Sequence, residues 1–235
     1  GAIAAGDYLK EEYGARIAAA EALECPTLLY NGFGEHNIQG IGDKHVPLIH
    51  NAMNSDFIVD ISDRATDNLT ALFNTEVGQA YLRDEMGVAE AIIEALPSFG
   101  YSSICNMLAA IKVSKQQQLG PKDVLATVAT DGFELYSSEL EPIIARDHGG
   151  DFDRAAAASV AASYLTGAST SDMLECTHED RLRMFNLGYY TWVEQQGVSI
   201  EEFSVRRSQD FWVEMREIVH RWDDMIEEFN AAVAA

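Results

Sequence analysis

The chain has 235 residues, 47% of them hydrophobic, enough to bury a core in one large domain or in one domain with an appendage. Its 38 acidic against 16 basic residues give a formal charge of -22, which repels a phosphate backbone and excludes nucleic acid as an expected partner. No apolar run reaches the roughly 18 residues that span a bilayer, and Gly1 to Ala5 has no basic flank of a signal peptide, so no membrane partner and a cytoplasmic location are expected.

In chain order, Ile3 to Tyr13 mixes small, apolar and charged residues as a helix does, with Gly14 at the C-cap position. Ala15 to Ala22, Asp56 to Ser62 and Val124 to Thr130 are short apolar runs that predict buried strands. Between them, Arg64 to Glu85 is predicted helical, opened by Ser62 or Asp63, and Ser102 to Leu119 is predicted helical, stopped by Gly120 and Pro121. Strands alternating with long helices predict parallel crossovers and the α/β class: a three-layer domain with a mostly parallel sheet over residues 1–145. After Pro142 no further strand is predicted, and residues 146–235 form a C-terminal helical extension rich in alanine, then in aromatics and acids.

Glu24 to Asn54 fits neither period. It carries glycines at 32, 34, 40 and 42 but also Leu28, Tyr30, Phe33, Ile38, Ile41 and Ile49, too apolar for disorder, which predicts an ordered loop lining a site. His36, His45 and His50 in this loop have no metal-ligand spacing, and no metal is expected. Cys25, Cys105 and Cys176 are far apart and odd in number, as buried free thiols would be. The acidic balance predicts a solvated acidic surface, and adaptation to high salt is a step beyond that.

Several segments, taken in order, resemble the second half of the fold type II pyridoxal-phosphate enzymes, the group of the cysteine synthases and the tryptophan synthase β-subunit. Gly1-Ala-Ile-Ala-Ala-Gly6-Asp-Tyr-Leu-Lys10 resembles the residues that close the family's phosphate loop and begin the next helix. Gly40-Ile41-Gly42 resembles the loop beside the cofactor ring, and Gly100-Tyr-Ser-Ser-Ile-Cys-Asn106 the family's Gly-x-Ser-Ser helix start. Ala129-Thr130-Asp131-Gly132 stands where the family places the hydroxyl that meets the pyridine nitrogen. Asp180 to Gly197 resembles a subgroup of cysteine-synthase-like proteins.

The resemblance implies pyridoxal 5'-phosphate as cofactor, held in part by Gly1, Gly40, Ile41, Gly42 and Thr130, with Ser102 and Ser103 toward a small amino-acid substrate. The implied reaction is β-elimination or β-replacement, a lyase or transferase chemistry. The family's Schiff-base lysine precedes the position that Gly1 matches, so no catalytic residue is expected in this chain and the partner would be a missing N-terminal half or second subunit, in a homo-oligomer. Ile104 replaces the glycine common after the two serines. From the residues alone, Gly40 and Gly42 also suit a turn that needs positive φ, and Ser102 and Ser103 suit caps of a helix from Asn106 onward. Thr130 also suits a plain strand end, and the alternative to an enzyme half is a non-catalytic scaffold or subunit-partner module.

Overall fold

The computed structural model describes residues 2–234 of the chain. It is an α/β structure built on a small mixed sheet. Helix α1 (Ala2–Tyr13) leads through Gly14, at φ 68°, into strand β1 (Ala18–Ala22). A short helix α2 (Thr27–Tyr30) opens the long loop, after which β2 (Phe57–Ile61) pairs with β1 in parallel, Ala18 opposite Phe57 and Ala22 opposite Ile61. These two strands and their parallel pairing match the sequence expectation.

The third strand does not. Residues 124–130 form no regular element, lie outside the sheet and are exposed, and the Val128 carbonyl and Thr130 amide bond side chains of a helix and not a neighbouring strand. The edge of β2 is taken instead by β3 (Met173–Glu175), antiparallel, with Ile58 opposite Leu174. This strand lies in the region expected to be wholly helical. Three residues between a glycine-serine turn and a capping box are too short for a period-2 pattern to register.

Helix α3 (Asp63–Asn74) starts at Ser62, whose hydroxyl accepts from the Arg64 amide. The expected helix 64–85 is broken at Thr75, which ends α3 and caps α4 (Glu76–Asp84) by accepting from the Gly78 amide. The break brings α4 so close to α3 that a Cβ on Gly78 would lie 2.1 Å from the Leu72 carbonyl oxygen. Helices α5 (Glu90–Ala95), α6 (Tyr101–Gln116), α7 (Leu140–His148) and α8 (Arg154–Val160) follow, then α9 (His178–Tyr189), α10 (Ile200–Val205) and the 26-residue α11 (Gln209–Ala234).

All five residues of β2 are buried, and its side chains divide between two clusters. Phe57, Val59 and Ile61 pack with Leu69, Leu72, Ile104 and Leu108 of α3 and α6, and Phe152, Ala157 and Val160 join the same cluster. Ile58 packs with Leu28 and Val46 of the loop and with Met184, Phe185 and Phe203 of α9 and α10. At the start of β2, Asp56 accepts from Lys10 at 2.8 Å, from the Ile17 amide at 2.8 Å and from Arg181 at 3.1 Å, tying α1, β1 and α9 to one carboxylate. All three cysteines are buried free thiols, and burial pushes Cys105 up to about 12 and Cys176 to about 11.

Candidate functional site

Helix α6 begins one turn earlier than the capping expectation, at Tyr101, with Gly100 as its N-cap. Only glycine fits at 100: a Cβ there would stand 2.8 Å from the Asp131 carbonyl oxygen and 2.7 Å from the Tyr136 ring. The Gly100 amide donates to that same oxygen at 2.8 Å. Close approach of the two backbones frees the serine hydroxyls from capping. Ser102 Oγ and Thr130 Oγ1 share a hydrogen bond of 2.5 Å, Ser103 Oγ accepts from the Thr130 amide at 2.9 Å, and Asn106 donates to the Val128 carbonyl at 3.0 Å. Three residues singled out in the sequence, Ser102, Ser103 and Thr130, are therefore one cluster, with the serines buried and Thr130 exposed.

Gly40 and Gly42 both adopt positive φ, 78° and 88°, as a glycine turn requires. A Cβ on Gly42 would meet His36 Nε2 at 2.9 Å, whereas the space around Gly40 is open. Ile41 is half-buried against the larger core cluster. The loop is held from α3: Asp63 accepts from the Asn37 and Ile38 amides at 2.5 and 3.2 Å, and Asp67 accepts from Asn37 Nδ2 at 3.0 Å. Arg146 of α7 clamps the other oxygen of Asp67 at 2.8 Å. Among the described residues no hydrogen bond joins Gly40, Ile41 or Gly42 to Ser102, Ser103 or Thr130. Gly1, the remaining expected cofactor contact, lies outside the described residues.

The loop's apolar surface is divided. Leu28, Ile38 and Val46 are buried and Ile41 is half-buried, while Tyr30, Phe33 and Ile49 are 57%, 75% and 72% exposed. Comparison with family models, curated proteins and solved structures finds no match. Residue geometry alone therefore carries the reading.

A second cluster was not singled out in the sequence. Glu21 of β1 and Asp60 of β2 stand opposite each other in register and are both buried. Glu21 accepts from the Leu28 and Leu29 amides at 3.0 and 2.8 Å, which fixes it as the pair's acceptor. Both Asp60 oxygens lack a donor, so Asp60 is held as the acid: burial first, then the Glu21 charge, pushes its carboxyl up to about 9. Protonated, it can donate to Glu21, whose own carboxyl burial also raises above the usual range. Asp60 borders a cleft of about 200 Å³ with Lys112, Tyr164, Ser169 and Asp172. Lys112 spans it, donating to the Asp60 and Ser171 carbonyls at 2.7 and 2.9 Å, and its burial lowers the ammonium pKa. The signal available in the sequence was a single acid inside each of two otherwise apolar strand runs.

Proposed function

We propose that this chain is the cofactor-facing lobe of a fold type II pyridoxal-phosphate enzyme of the cysteine synthase type, completed by a second lobe that supplies the Schiff-base lysine. The observation that carries the reading is the convergence of Ser102, Ser103 and Thr130 at the start of α6, since these residues were named from two separated motifs. The residues fit one side of the cofactor. Thr130 is exposed, and its hydroxyl can accept from or donate to a ring nitrogen while Ser102 holds it. Gly40 and Gly42 allow the backbone beside Ile41 to approach a ring.

Bound pyridoxal phosphate supplies an electron sink, and a neutral hydroxyl at its nitrogen favours β-elimination or β-replacement on an amino acid over reactions that need a protonated ring. Ser102 and Ser103 would hold Thr130 at the ring nitrogen while their helix start faces the substrate. In the completed enzyme the β1–β2 parallel pair would belong to a three-layer, mostly parallel sheet. The non-catalytic module remains as a second reading because neither the cleft beside Asp60 nor the small pocket between Val46, Phe185 and Trp192 includes Gly40 to Gly42 or Thr130.

The test is the colour of the assembly purified with this chain from its own cells. A yellow preparation, bleached by borohydride and altered in spectrum by Thr130→Asp, is the expected result. A colourless assembly that takes up no added pyridoxal phosphate would overturn the enzyme reading in favour of the module.

A further inference from the structure

Helix α11 leaves the body of the protein. Its root is fixed: Gln209 bonds Asn51 at 2.9 Å, Trp212 Nε1 donates to the Arg206 carbonyl at 2.9 Å, and Arg216 pairs with Glu11 of α1. From Glu217 to Val233 every residue is exposed. That stretch is not polar all round, as a solvated helix would be. Met215, Ile218, Trp222, Met225 and Phe229 recur at spacings of three and four, and Val219, Ile226 and Val233 widen the same stripe at intervals of seven. Trp222 is 54% exposed and Phe229 67%.

We propose that this stripe is the interface of a homodimer, in which α11 of one copy lies antiparallel along α11 of a second copy, centred near Trp222. Three observations select a second copy in this orientation. The first is charge. Glu214, Arg216, Glu217, His220 and Arg221, two acids balanced by two arginines, precede the midpoint, and Asp223, Asp224, Glu227 and Glu228 follow it. Antiparallel helices bring the charge-balanced segment of each to the acidic segment of the other, whereas parallel ones stack four carboxylates on the same four in a chain already at -22.

The second observation is area. The stripe from Met215 to Val233 runs about 27 Å along the helix. With large side chains half-exposed along it, on the order of 700 Å² per chain is open to burial, near the ~800 Å² per partner of a stable interface. The third is what lies beside the root. Helix α1, joined to it through Glu11 and Arg216, carries Tyr8, Leu9 and Tyr13 in exposed positions. In the antiparallel arrangement the tip of the partner's helix, with Phe229 and Val233, reaches this ground. The proposal is independent of the cofactor reading, since no residue of the Ser102 or Gly40 segments takes part.

Light scattering after size exclusion of the intact chain tests it. The expected mass is twice the 25.9 kDa of one chain. The double substitution Ile218→Glu with Met225→Glu touches only exposed positions, so circular dichroism of the body should stay while the dimer weakens by at least about 100-fold. For orientation, Phe229→Cys should form no disulfide with itself, because in antiparallel helices the two copies stand about 21 Å apart along the axis. A wild-type monomer at 100-fold the concentration at which a tight dimer forms, a dimer untouched by the two glutamates, or a self-linked Phe229→Cys would each overturn the proposal. So would a chain that associates only with another protein or with vesicles.

Discussion

Replacing Asp60 by asparagine should make the protein more stable at neutral pH, and the gain should grow with pH. In the unfolded chain this carboxyl ionises at about 3.8, and in the fold it is pushed up to about 9 by burial and by Glu21. Between these values the folded state binds a proton that the unfolded state does not, so stability falls as pH rises through the window. It is intact below pH ~4 and lost progressively up to pH ~9. The slope is about 1.4 kcal/mol per pH unit for one proton. Roughly three units separate the unfolded value from pH 7, which sets a ceiling of ~4 kcal/mol there, and water entry on unfolding of the edge brings the expected gain to about 2–4 kcal/mol. Asparagine keeps the shape and still donates to Glu21, through N–H in place of O–H. Urea unfolding of both proteins at pH 4.5, 7 and 8.5, taken as the difference between them, cancels the carboxylates remote from Asp60 and leaves its pair with Glu21. A difference that stays flat with pH, or an asparagine variant that is the weaker protein at pH 7 and above, would refute the proton held on Asp60.

Two other perturbations separate backbone geometry from packing. Gly42→Ala should cost about 1–3 kcal/mol in thermal or denaturant unfolding, because φ is 88° and the new methyl would meet His36 at 2.9 Å. Gly40→Ala, at φ 78° with open space around it, should cost only about 1 kcal/mol, so equal effects would show that the His36 contact does not matter. Ser103→Ala removes the acceptor of the Thr130 amide and should speed hydrogen exchange at that amide by about tenfold, with little change at Ile58 in the sheet.

The parallel pair was legible because β1 and β2 are short apolar runs flanked by helix signals, and burial on both faces of β2 needs a continuous run of that kind. Val124 to Thr130 has the same local composition and is not a strand. Strand formation requires a partner edge as well as propensity, and the open edge of β2 is held by Met173 to Glu175. The split of the expected helix 64–85 was written in Asn74-Thr75, a capping residue after an asparagine, but the periodicity of the apolar positions runs on across it. The broad division at residue 145 rests on composition, and composition does not record that Phe152, Ala157 and Val160 complete the core begun by β2 and α3.

For the site, residue types and order carried further than expected elements. Ser102 and Ser103 were singled out toward a substrate and Thr130 toward a ring nitrogen, from separate motifs, and the structure brings the three together although the segment bearing Thr130 is not the strand expected. The reason is visible at Gly100, whose missing side chain lets the Asp131 carbonyl approach; once that approach is fixed, Thr130 must lie over the first turn of α6 whether or not its neighbours pair in a sheet. The Glu21 and Asp60 pair escaped for the opposite reason. Each acid is ordinary in its own strand, and only the parallel register puts one against the other. Once they are opposed, the low polarity of their surroundings decides the protonation state, and the two amides of α2 decide which of the two keeps its charge. Exchanging the two residues would therefore not conserve the site: a glutamate at 60 would carry the proton one methylene away from its present place beside the cleft, while an aspartate at 21 would fall short of the Leu28 and Leu29 amides.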